Sequence, residues 1–228
     1  MSKPPKKPRA GLAGKRDLAV NVRTAAKRSV SSARWLARQL NDPYVAAAKR
    51  AGWRSRAAFK LLELDERLHL LRRGQRVIDL GAAPGGWSQV AIQAGAQVVG
   101  LDLLPIEPLQ GAVFVEGDMD DPAMPARLAG LLGAQADLVL SDMAPNTTGH
   151  NATDHVRIVA LAENAAAFAM EVLAPGGTFV CKVFQGGAES GLLAMLKRRF
   201  ATVRHTKPPA SRKESAELYV VAQGFRGA

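Results

Sequence analysis

Four ionisable side chains stand where an α/β protein does its chemistry. Lys182 lies inside the apolar run Phe179-Val180-Cys181-Lys182-Val183-Phe184, where an unpaired ammonium is costly. Asp142 follows a short apolar segment in Ser141-Asp142-Met143-Ala144-Pro145, and Glu217 opens another in Ser215-Ala216-Glu217-Leu218-Tyr219. Lys60 sits upstream of both, near the start of the helix before the sheet, from which it can reach over the same edge. A lone strand lysine reads as a snorkelling side chain or a structural ion pair. Two amines and two carboxyls gathered at one sheet edge point instead to catalysis. Such a set can act on the proton of a weakly acidic hydroxyl. Burial or a neighbouring cation such as Lys60 would suppress the charge of Lys182, while Asp142 and Glu217 favour the ammonium and would orient it by hydrogen bonds. Free base and alkoxide-stabilising cation both remain open for Lys182.

A second constellation lies nearby. Asp79-Leu80-Gly81-Ala82-Ala83-Pro84-Gly85-Gly86-Trp87 is a glycine-rich turn after the first apolar strand. Such a turn brings backbone N–H groups close to a ligand. Its glycines do not fall in the dinucleotide pattern G-x-G-x-x-G, and no Gly-Lys-Ser/Thr closes it as in a P-loop. Asp102 ends the next strand, where a carboxylate can take the two hydroxyls of a ribose, and Gly117-Asp118 follows the third. Together these read as a site for S-adenosylmethionine.

These residues need a scaffold. Short apolar runs at 76–80, 97–101, 112–115, 137–141, 178–184, 202–206 and 218–223 alternate with helical patterns at 87–94, 122–132, 154–173 and 190–200. Pro175-Gly176-Gly177 closes the longest helix. That alternation predicts an α/β fold, a seven-stranded, mostly parallel sheet with helices on both faces. The last two strands are joined by a loop too short for a parallel crossover, so the final strand is expected to run antiparallel. Its first residue, Glu217, then lies at the edge where the other strands end. Ahead of the sheet, helices are expected from Ser32 to Leu40, from Tyr44 to Ala51 and from about Ser55. In the last of these, Ala58, Leu61, Leu62, Leu64, Leu68 and Leu71 form the apolar stripe.

Charge divides the chain. Of 31 basic and 20 acidic residues, the first 50 positions hold 13 basic side chains and only Asp17 and Asp42 as acids, so the whole excess of +11 lies there. Residues 1–31 read as a basic, disordered arm, and 32–228 as one domain. A cationic leader suits a polyanionic partner. Arg54, Arg56, Lys197-Arg198-Arg199, Lys207, Arg212 and Lys213 are further candidates for an RNA-facing surface. No stretch is long and apolar enough to cross a membrane. One cysteine, Cys181, excludes an internal disulfide and fits a small core side chain. His150 and His155 lack a third ligand, so no metal is expected; His69 and His205 fit the surface or an edge. Trp35 and Trp53 fit core packing. The cytoplasm is the expected location, with the mitochondrial matrix as alternative because residues 21–39 are rich in Arg and Ser and poor in acid.

The chain resembles the FtsJ/RlmE family of ribosomal-RNA ribose 2′-O-methyltransferases from about Ser32 to Ala222. The matching stretches are Arg54 to Ala57 with Phe59-Lys60-Leu61, Asp79 to Gln89, Asp102 to Pro105, Ser141 to Asn146, Leu173 to Gly177 and Lys182 to Gly186. Ala58 stands where a bulkier aromatic is expected, and the arm is longer and more basic than the family needs. The resemblance implies a Rossmann-like class I S-adenosylmethionine-dependent fold. It implies a catalytic set at Lys60, Asp142, Lys182 and Glu217, and cofactor contacts at Gly85, Trp87, Asp102, Asp118 and Asp142. It also implies, as substrate, a uridine in the A-loop of 23S rRNA, on free rRNA or the 50S subunit, and a monomeric enzyme. Alternatives are another RNA, tRNA or a cap, and a non-catalytic ribosome-assembly factor.

Overall fold

Asp42 caps the first complete helix by accepting the Tyr44 amide at 3.0 Å, and Pro43 starts that helix, α1 (Pro43–Ala51). Proline fits there because a first-turn N–H has no helical partner to lose. The computed structural model describes residue 32, residues 36–37, and 39–145, 151–185, 190–212 and 214–227. The expected arm at 1–31, Trp35, His150 and Lys213 lie outside the described residues, as does the side chain of His155.

Helix α2 (Ala58–Leu68) buries Ala58, Phe59, Leu61 and Leu64. Burying each large apolar side chain contributes about 1.5–3 kcal/mol, and this anchorage holds Lys60 on the same inward stripe. The helix ends at His69, which is exposed and left-handed (φ 51°). It is therefore shorter than the stripe reaching Leu71, which packs beside it without being helical.

The sheet comprises β1 (Arg76–Leu80), β2 (Gln97–Asp102), β3 (Ala112–Glu116), β4 (Ala136–Ser141), β5 (Leu173–Phe184), β6 (Phe200–Thr206) and β7 (Glu217–Phe225). Their spatial order is β3-β2-β1-β4-β5-β7-β6. β1 to β5 are parallel, whereas β7 is antiparallel to both β5 and β6, as the short connection requires. Helices α3 (Gly86–Gln93), α4 (Met124–Leu132), α5 (Asn151–Val172) and α6 (Ser190–Arg199) complete the two layers. α1, α2 and α3 pack on one face with Trp53, Trp87, Val180 and Tyr219; α4, α5 and α6 cover the other with Leu128, Phe168, Phe179 and Leu196. Cys181 is buried on that second face and unpaired. His205 lies exposed on the edge strand β6.

β5 begins earlier than the apolar run suggests. Leu173 already pairs with Ala136, and the register shifts before Thr178 meets Leu138. Gly176, at φ +82°, supplies the left-handed turn within that irregularity, so Pro-Gly-Gly kinks a strand rather than only closing a helix. Among the described residues, no helix is long and apolar enough to cross a membrane.

Candidate active site

Register brings the predicted residues together. Lys182 stands opposite Tyr219 and Phe184 opposite Glu217. Side chains two apart share a face, so Lys182, Glu217 and Tyr219 point to the face that α2 covers. There Lys60 meets them, while Asp142 follows the last residue of β4 at the same rim. Lys60 and Lys182 are 5% and 7% exposed, so neither ammonium is bathed in water.

The pairing is specific. Lys60 Nζ donates to Glu217 Oε2 at 2.9 Å and to the Tyr219 hydroxyl at 2.9 Å, with both Asp142 carboxylate oxygens at 3.4 Å. Lys182 Nζ donates to the Asp142 carbonyl at 2.6 Å and lies 3.1 Å from Asp142 Oδ1. The Tyr219 hydroxyl donates to Asp142 Oδ1 at 2.6 Å. Asp142 thus bridges the two lysines. Burial alone would raise its pKa, but the charges of Lys182 and Lys60 and the Tyr219 hydrogen bond hold it below the usual carboxylate value. Burial, and then the charges of Asp142 and Glu217, push the Tyr219 phenol well above its ordinary value, so it stays a neutral donor. One expectation needs correction: Glu217 grips Lys60, and Asp142 is the carboxyl that orients Lys182.

The glycine turn forms the adjoining wall. Gly81 (φ +71°) and Gly85 (φ +101°) adopt conformations that disfavour a side chain, and an added Cβ at Gly81 would overlap Met143. The bare backbone, followed by the head of α3, fits the carboxylate end of an S-adenosylmethionine molecule. Asp102 fits the ribose end. Its Oδ2 accepts the Ala83 amide and its Oδ1 the Leu104 amide, each at 2.9 Å. A carboxylate has about four acceptor sites, so lone pairs remain for two hydroxyls. Asp118 is exposed after β3, its Oδ1 taking the Asp120 amide. Trp87 differs from a simple cofactor contact. Its indole donates to the Ala57 carbonyl at 2.8 Å and packs 5.7 Å from the Tyr219 ring, so its side chain joins α2 to the sheet.

Several of the cations that the sequence marks as RNA-facing candidates are engaged within the fold, Lys207 and Arg199 among them through the Ser215 and Gly227 carbonyls. Arg54 donates to the Pro84, Glu107 and Pro108 carbonyls, stapling the turn after β1 to the segment after β2. Arg56 and Arg212 both pair with Asp42, at 2.9 and 3.1 Å. Tyr219 closes the stretch that carries Glu217 but is given no role by the sequence reading, although its position two residues beyond Glu217 on a strand places it on the same face.

With this geometry in place, comparison with known proteins decides the family. The FtsJ-like methyltransferase model matches residues 53–225. The chain belongs to the FtsJ-like methyltransferase family. It is accordingly a transferase of the S-adenosylmethionine-dependent class. A relative from Granulibacter bethesdensis named Ribosomal RNA large subunit methyltransferase E is 66% identical over 93% of this chain and 93% of its own length. One of the same name from Azorhizobium caulinodans is 59% identical over 100% of this chain and 95% of its own. Among solved structures, a ribosomal RNA methyltransferase from Plasmodium falciparum superimposes with a TM-score of 0.70 at 29% identity, covering 77% of this chain and 100% of that one.

Proposed function

We propose that this methyltransferase modifies the ribose 2′-hydroxyl of a uridine in the A-loop of 23S rRNA, on the large ribosomal subunit. The observation that carries the reading is the cluster of Lys60, Asp142, Lys182 and Glu217 at the rim beside the glycine turn. The identity of the RNA rests on the relatives named Ribosomal RNA large subunit methyltransferase E. The enzyme acts in the cytoplasm as a monomer without a metal, on residues 32–228 as one catalytic domain.

Gly85 and the head of α3, Asp102, Asp118 and Asp142 hold S-adenosylmethionine, which when bound supplies an electrophilic sulfonium methyl. Lys182 Nζ has three donor positions, and Asp142 occupies two of them through its carbonyl and Oδ1. The third position faces the 2′-hydroxyl: in the free amine it is the lone pair that takes the hydroxyl proton, and in the ammonium it is an N–H that holds the developing alkoxide while the proton passes to solvent. Asp142 fixes the Lys182 amine. Glu217 and Tyr219 fix Lys60, whose charge beside Lys182 opposes a second full positive charge. Positioning of the hydroxyl in this partly dry pocket lowers the barrier further.

The test uses large subunits from cells lacking this chain. Purified protein and radiolabelled S-adenosylmethionine should label 23S rRNA at one A-loop uridine, located by ribose-methylation mapping. Label on tRNA, or none on the subunit, overturns the assignment.

A further inference from the structure

The segment between Thr206 and Glu217 is tied down far more tightly than a connection between two strands requires. The Ala210 amide donates to Glu63 Oε2 on α2 at 2.6 Å, and its carbonyl accepts Arg56 Nη2. Arg212 pairs with Asp42, which also caps α1. Arg67 reaches the Lys207 carbonyl at 3.5 Å, and Lys207 Nζ turns back to the Ser215 carbonyl at 2.6 Å. The Ala216 carbonyl accepts the Gln185 amide at 2.8 Å, just beyond the end of β5. Held from α1, α2 and β5, this segment presents Ser211, among its described residues, to the active site. Ser211 is 4% exposed, and its Oγ donates to Glu217 Oε1 at 2.6 Å.

The two oxygens of Glu217 are thereby divided. Oε2 serves Lys60 and Oε1 serves Ser211. The terminal torsion of a glutamate is broad and sets no orientation by itself. A single partner leaves a carboxylate free to swivel; two donors on opposite oxygens fix its plane. Ser215 Oγ accepts the Glu217 amide at 3.2 Å and adds a hold on the backbone. We infer that Ser211 is a positioning residue of the methyl-transfer site: its hydroxyl locks the Glu217 carboxylate so that Lys60 stays seated beside Asp142. Asp42, Arg56, Glu63 and Arg212 hold Ser211 in place from outside the pocket. The inference rests on the reading of the four-residue cluster as the transfer site.

The experiment compares wild-type and Ser211→Ala chains in three ways. Steady-state transfer to unmethylated large subunits should show kcat lowered roughly tenfold to a hundredfold, the scale of losing one hydrogen bond to a charged group. S-adenosylhomocysteine affinity by titration calorimetry should stay near wild type, since the cofactor wall does not touch Ser211, while the thermal midpoint falls by only a few degrees, the scale of one lost buried hydrogen bond. Crystals of both chains give a readout that needs no turnover. Displacement of the Glu217 carboxylate from Lys60 in the variant supports the assignment. Wild-type kcat in the variant, parallel losses of kcat, cofactor affinity and midpoint, or a Glu217–Lys60 contact unchanged from wild type overturns it. A wild-type chain inactive on large subunits refutes the proposed reaction instead, and the crystallographic comparison still decides the role of Ser211.

Discussion

Replacing Asp79 by asparagine removes a carboxyl that the fold buries almost completely at the end of β1. Asp79 is 1% exposed, and burial pushes its pKa from 3.8 up to about 7, aided by the charges of Asp142 and Asp102 and opposed by hydrogen bonds from Ser88. The native chain therefore holds this proton more tightly than the unfolded chain. Its contribution to stability is fully present below about 3.8 and is lost as pH rises through about 7. At about 1.36 kcal/mol per pH unit, the full gap corresponds to roughly 4 kcal/mol, and the part between pH 5 and pH 7 to roughly 3 kcal/mol. Asparagine keeps the shape and cannot ionise. Urea unfolding of both chains at pH 5 and pH 8 isolates this group, because the other titrations cancel in the difference. The stability of Asp79→Asn relative to wild type should rise by about 3 kcal/mol between the two pH values. A relative stability that is the same at both, or that falls toward pH 8, would show that Asp79 is not a buried acid whose ionisation the fold resists.

Other perturbations probe the cofactor wall. Gly85→Ala forces a side chain into φ +101° and sets its Cβ 2.9 Å from Arg54 Nη1; it should lower unfolding stability by about 1–3 kcal/mol in denaturant titration. Arg54→Ala frees the Pro84, Glu107 and Pro108 carbonyls from a common donor. Calorimetric titration with S-adenosylhomocysteine should show affinity about tenfold weaker, as expected for loss of one to two net hydrogen bonds that shape the wall. Unchanged affinity would separate Arg54 from cofactor binding.

Much of the site is legible in the sequence because each chemical residue sits in distinctive surroundings. Lys182 interrupts an apolar strand, Asp142 follows one, and the short connection before β7 turns Glu217 to the correct rim. The partners are less legible. Which lysine Glu217 meets depends on how α2 lies across β5 and β7, a distance along no strand or helix, so the sequence points Glu217 at Lys182 although it grips Lys60. Composition also does not tell an arginine facing solvent from one folded back onto carbonyls. Arg54 and Arg212 therefore read as RNA-facing although both are bound within the fold. Helix ends shift for local reasons, as at left-handed His69. β5 extends backward because Gly176 lets a kinked strand resume pairing.

The role of Lys182 in the transfer step is open to a single-turnover assay of Lys182→Ala. With S-adenosylhomocysteine binding intact as the control for folding, transfer to unmethylated large subunits should fall at least a thousandfold, roughly the contribution of a positioned proton acceptor together with its charge. Transfer within a few-fold of wild type would remove Lys182 from the chemistry, leaving the buried lysine as a structural cation paired to Asp142.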